Sequence, residues 1–139
     1  MGNLKQSIFG GLFSIITIGI LTLLTYKTDF GIFIIASFGS SMVLLFGFPE
    51  SPFAQPKNVF FGHIVSMIVG ILFNEIFGMS FITLGLAVGF ALALMMYFKV
   101  EHPPAAANPL IALLSDVSFE FIFLPVAAGT IIILSLIHI

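Results

Sequence analysis

Two stretches hold most of the groups in this chain that could do chemistry. One is Lys99-Val-Glu-His-Pro-Pro-Ala-Ala-Ala-Asn-Pro109, the other Phe48-Pro-Glu-Ser-Pro-Phe-Ala-Gln-Pro-Lys-Asn58. They share a sub-pattern in which Glu, Pro and Ala alternate with other residues: Glu50, Pro52, Ala54 and Glu101, Pro103, Ala105. Proline is favoured at the first position of a helix, where its missing N–H is not needed. Ser51-Pro52 and His102-Pro103-Pro104 are therefore each expected to start a short helix. Such a start turns free N–H groups and the positive dipole end towards the loop, which suits an anion. Lys57, Lys99, His63 and His102 would add positive charge. The plainer reading is that these prolines only end membrane helices at the interface.

Glu101 stands next to His102, and Glu50 takes the matching place in the first loop. Glu50, Glu101 and His102 are the candidates for proton coupling, because a nearby carboxylate tunes an imidazole near neutral pH. The alternative is a solvated interfacial pair. His63, His102 and Glu50 show no metal-ligand spacing, so neither a metal nor a cofactor is expected. No nucleophile–base arrangement or phosphate loop appears, and an enzyme is not expected.

These loops interrupt a very apolar chain. Of 139 residues, 60% are hydrophobic and 7% charged, and the mean hydropathy is +1.25. Soluble domains carry about a quarter charged residues, so an integral membrane protein is implied. A net charge of -2 with no Arg gives no basic footprint for nucleic acid. The absence of Cys excludes disulfides and thiolate metal sites.

An all-α membrane bundle is expected, with about five spans and four as the alternative, each needing ~20 apolar residues. The first span, 7–25, reads as an uncleaved helix, followed by a polar connection at Tyr26 to Asp29. The others fall near 30–48, 59–77, 81–98 and 119–139, and Gly78-Met-Ser80 forms a tight turn. Leu110 to Leu114 is too short to cross, and Pro125 can bend the last run. Gly85, Gly89 and Ala93 are spaced four apart, the small-residue pattern that lets helix backbones approach.

An internal repeat organises this single transmembrane domain. A shift of about fifty residues places Phe9-Gly10 on Phe61-Gly62, Ser14 on Ser66, Gly19-Ile-Leu21 on Gly70-Ile-Leu72, Phe30 on Phe81 and Glu50 on Glu101. Repeat one is then 8–58 and repeat two 59–109, with an extra helix at 119–139. Each parallel two-helix unit ends in a Pro-rich loop or half-helix, so both loops lie on one side of the membrane. Lys5, Lys57 and Lys99 against Lys27 put the N-terminus and both loops in the cytoplasm.

On span three, His63, Ser66, Met67, Gly70 and Asn74 share one face, which must meet protein or a water-filled path rather than lipid. Gly11, Ser14, Thr22 and Thr25 form a similar stripe on span one. The candidate binding residues are Ser40, Ser41, Ser51, Pro52, Ala54, Gln55, Asn58, His63, His102, Pro103, Pro104, Ala105 and Asn108.

The chain resembles the HPP family of small membrane proteins, named for the tripeptide found here as His102-Pro103-Pro104. Gly39-Ser40-Ser41, Pro49-Glu50-Ser51-Pro52, Ala54-Gln55-Pro56, Asn58 and Gly62-His63 look like its first signature, and His102-Pro103-Pro104-Ala105 like its second. The resemblance covers nearly the whole chain. It implies about four spans, one fewer than the residues suggest. Plant chloroplast and cyanobacterial members are associated with nitrite transport, so the resemblance implies transport of a small monovalent anion, with nitrite the first candidate. A scaffold whose cytosolic loops dock a partner is the alternative. Five thin spans around a pathway imply a homo-oligomer, and a bacterial inner membrane is the expected location.

Overall fold

The computed structural model describes residues 3–28 and 32–137. Helix α1, Leu4–Lys27, is capped by the Asn3 side chain, which accepts from the Lys5 N–H. Asp29 and Phe30, the expected end of the first connection and start of span two, lie outside the described residues.

The second crossing differs from expectation. Only Ala36–Gly47 is helical (α2); residues 32–35 form no regular element, and Ile35 is extended. The Ile32-Phe-Ile-Ile35 run is β-branched and aromatic, a composition suited to extended backbone. The Phe33 N–H donates to Thr25 Oγ1 near the end of α1, while Gln6 Nε2 donates to the Gly47 carbonyl near its start. The non-helical run and α2 therefore return along α1 over about 28 Å, at 1.5 Å per helical residue. A Cβ at Gly129 would collide with the Phe33 carbonyl and the Phe38 ring, so protein covers this non-helical backbone.

Helix α3, Pro56–Phe77, begins at a proline and ends at Gly78, whose positive φ of 67° opens the turn expected at Gly78-Met-Ser80. Helix α4, Phe81–Phe98, is capped by Ser80, whose side chain accepts from the Thr83 N–H, and ends at Lys99 in left-handed geometry. Pro103–Ala107 forms a 3-10 turn that runs into α5, Asn108–Leu114. A helical segment at Ile122–Ala127 breaks at Leu124, just before Pro125, and α6, Ala128–Ile137, follows.

Among the described residues, three helices (α1, α3 and α4) are long and apolar enough to cross a membrane. Shorter apolar helices cover 36–47, 103–114 and 122–137. The remaining hydrophobic runs, expected as further spans, are divided by Pro103, by Pro125 and by the non-helical residues before Ala36. The proposed repeat also pairs unequal elements, α2 with 12 residues against α4 with 18.

Helix α3 is the hub. A Cβ on Gly62 would lie 2.8 Å from the Val100 carbonyl, and one on Gly70 2.6 Å from the Pro109 Cα and 2.7 Å from the Ala112 Cβ. Further along, Asn74 Nδ2 donates to Asp116 Oδ1 at 2.7 Å. The chain from His102 to Asp116 thus climbs beside α3 in the same direction. Lipid supplies no hydrophobic drive between helices, and close approach at small residues supplies the packing instead. Val59, Met67 and Ile71 of α3 are fully buried with Phe38, Leu21 and Ile133.

The stripe on α4 behaves differently. Among the described residues, Gly85 and Gly89 meet nothing within 4 Å, and with Ala93 they line an open groove of about 700 Å³ rather than a close helix contact. In α1, Thr17 and Leu21 are the buried residues, while Gly11 is exposed and meets nothing.

Candidate functional site

Where α2, α3 and the second Pro-rich loop converge, six polar side chains are buried together. Helix α2 supplies Ser37 and Ser41 one turn apart, α3 supplies His63 and Ser66, the loop supplies His102, and α5 begins with Asn108. The close approach at Gly62 brings His102 against α3. The His63 and His102 ring centroids are 5.0 Å apart, and Phe38 meets His63 edge-on at 5.3 Å.

The hydrogen bonds fix the direction of this network. His102 Nδ1 lies 2.8 Å from the Phe53 carbonyl, which can only accept, so Nδ1 carries the proton. In the neutral ring Nε2 then accepts, and its partner at 2.9 Å is the Ser41 hydroxyl. Asn108 Nδ2 is 3.0 Å from both the His63 carbonyl and His63 Nδ1. The carbonyl requires a donor, which orients the amide and makes Nδ1 of His63 an acceptor. His63 therefore carries its proton on Nε2 and donates to Ser41 Oγ at 3.2 Å. The two histidines hold opposite tautomers with one hydroxyl between them.

Ser37 Oγ donates to Asn108 Oδ1 at 2.8 Å, and Asn108 Nδ2 also reaches Ser66 Oγ at 3.0 Å. Among the described residues, no buried side-chain nitrogen or oxygen lacks a partner. His102 lies in the loop beyond α4. Burial pushes its imidazole down from the ordinary 6.5 to about 4, against the opposing effect of the Phe53 hydrogen bond.

The two Pro-rich loops meet. Asn58 Nδ2 donates to the Glu101 carbonyl at 2.9 Å, alongside the bond from His102 to Phe53. Of the predicted residues, Ser41, His63, His102 and Asn108 join the network, and Asn58 ties the loops. Ala54 and Ala105 are buried packing beside it.

The others lie outside it. Ser51 caps the Pro52–Ala54 turn by accepting from the Phe53 N–H, and Gln55 donates to the Ser51 carbonyl on the exposed side. Pro52 and Glu50 are exposed. Ser40, Pro103 and Pro104 line an open groove of about 410 Å³. A second groove, of about 360 Å³, runs past Phe53, Glu101, His102 and Pro103.

Two expectations are corrected. Glu101 does not pair with His102, because the Phe53 carbonyl and the Ser41 hydroxyl occupy both ring nitrogens. The helix starts also offer fewer free donors than proposed. Pro103 and Pro104 have no N–H, Ala105 N donates to the His102 carbonyl, and Ala54 N to the Ser51 carbonyl. Sequence reasoning missed Ser37, and it placed Ser66 on the functional face of α3 without listing it as a site residue. The spacing of Ser37 four residues before Ser41 was the available signal.

A family model described as the HPP transmembrane region matches residues 1–138. Two proteins of Dictyostelium discoideum, each named only as a transmembrane protein, are similar to the chain. One is 37% identical over 95% of this chain and 46% of its own length. The other is 36% identical over 73% of this chain and 38% of its own length. The chain therefore spans less than half the length of these curated relatives. No solved structure matches it.

Proposed function

The chain belongs to the HPP transmembrane family, and from that premise we propose that it moves a small monovalent anion across the membrane, with nitrite the first candidate. The observation that carries this reading is the buried Ser41–His63–His102–Asn108 network at the junction of the two Pro-rich loops. Buried ionisable side chains in a membrane bundle are costly, face a pathway or one another, and by default point to a functional site.

In this reading the groove past Phe53, Glu101 and His102 and the groove at Ser40 and Pro103 are the approaches to the junction. Both loops and the N-terminus face the cytoplasm of a bacterial inner membrane. The protein acts as a homo-oligomer, uses no metal or cofactor, and performs no chemistry on its cargo.

The test is uptake of nitrite into liposomes containing the purified protein, with nitrate, formate and chloride as competitors. Saturable uptake that favours nitrite is expected. Absence of saturable uptake of all four anions by folded protein would refute anion transport and favour a docking role for the loops, to be read by loss of a pull-down in loop variants.

A further inference from the structure

We infer that Ser41 is a hydroxyl switch through which the junction binds one proton on His102 together with one transported anion, so that the cargo crosses as an electroneutral pair. This rests on the anion-transport reading above.

In the neutral state the Ser41 oxygen accepts from His63 Nε2–H and its hydrogen points to His102 Nε2. The same hydroxyl has a second acceptor, the Ser37 carbonyl, at 3.2 Å. When a proton from water adds to the lone pair of His102 Nε2, that nitrogen becomes a donor to Ser41 Oγ. The Ser41 hydrogen then turns to the Ser37 carbonyl. The oxygen now accepts two hydrogen bonds and donates one, the full capacity of a hydroxyl. One N–H bond forms as one O–H bond of the hydronium ion that delivers the proton breaks and leaves water, and no buried polar atom loses its partner. The network therefore has two fully bonded states that differ by one proton.

The added charge has no built-in counter-ion among its hydrogen-bond partners. Helix α2 presents only Ser37 and Ser41, α5 presents Asn108, and α4 packs Met95 beside Val100 and Ala105. The first loop presents the Phe53 carbonyl, with Glu50 exposed, and Lys57 and Lys99 are also exposed. His63 approaches from α3, and Glu101 lines the groove next to His102 without bonding its ring. A small anion at the junction supplies the missing charge. By linkage, the anion strengthens proton binding by the same factor as the proton strengthens anion binding. Burial of His102, which disfavours the charged ring on its own, keeps the proton from crossing without the anion.

The test uses the full chain in liposomes, with sodium nitrite as probe, the membrane potential clamped by potassium and valinomycin, and protein-free liposomes subtracted. Initial uptake should rise about tenfold per unit fall in external pH while the proton is limiting, the slope for one coupled proton, and should ignore the potential. Uptake that follows the potential and ignores pH overturns the coupling while leaving anion transport intact; no uptake overturns both. Ser41→Ala should remove the pH-driven component, and Ser41→Thr should restore it. If Ser41→Ala does not fold, 15N spectra of histidine-labelled wild type decide, with His102→Gln assigning the signals. They should show Nε2–H on His63, Nδ1–H on His102, and a rise in the His102 pKa on adding nitrite. Matching tautomers, or no rise, overturn the switch.

Discussion

Asn108 is the residue that fixes the direction of the network. Its amide serves the His63 carbonyl, His63 Nδ1, Ser66 and Ser37 at once. Asn108→Ala leaves Ser37 Oγ and His63 Nδ1 without this partner, each worth about 1–3 kcal/mol, while Ser66 still bonds the His63 carbonyl. A clear fall in thermal midpoint in detergent is expected, larger than for Ser37→Ala, which removes one bond. His102 makes stability depend on pH. Its folded pKa is depressed to about 4 from 6.5, so the unfolded chain binds the proton first. The contribution of the neutral ring is complete above about 6.5 and is lost as pH falls towards about 4. Thermal midpoints measured across that window should decline in the wild type and flatten in His102→Gln. The sequence singled out His63, His102, Ser41 and Asn108, because imidazoles and hydroxyls stand out in a greasy chain. It could not show that Ser41, and not Glu101, is the partner of His102, since that choice depends on how far α2 leans over the loop.

At the scale of elements, glycine spacing was legible but its consequence was not. Two small-residue patterns look alike in the sequence, yet Gly70 meets the backbone of Pro109 while Gly85 and Gly89 meet open space. Gly70→Ala places a methyl 2.6 Å from a Cα that cannot move freely. A loss of about 1–3 kcal/mol is expected from such overpacking. Gly85→Ala meets no atom and should stay within about 0.5 kcal/mol of wild type. Equal losses in the two variants, read by thermal unfolding, would contradict the assignment of α3 as hub. Prolines likewise announced helix starts at Pro52 and Pro103, while the start of α3 at Pro56 lies three residues before the expected one. The shortening of α2 was hidden, because a continuous apolar run reads the same whether its first residues are extended or helical.

At the scale of the whole molecule, hydropathy alone was enough to identify a membrane protein, and the paired motifs identified the HPP resemblance that the family match bears out. The number of crossings was not readable, because segments packed inside a bundle need not be long or uninterrupted. The two loops meet through Asn58 and His102, and α3, long and apolar enough to cross a membrane, separates them from the Gly78 turn. The chain has no cysteine, so single substitutions report topology cleanly. Glu50→Cys and Lys99→Cys should react with a membrane-impermeant maleimide from one side, and Met79→Cys from the opposite side. Labelling of Glu50→Cys and Lys99→Cys from different sides would break the architecture described above.

The central claim, that the junction of the two loops is where the anion crosses, is tested most directly by comparing nitrite uptake by wild-type and His102→Ala protein in matched liposomes, with folding checked by thermal midpoint and elution profile. The account predicts saturable uptake by the wild type and none above protein-free liposomes for the folded variant. Normal flux through folded His102→Ala protein would remove the network from the pathway and contradict the account.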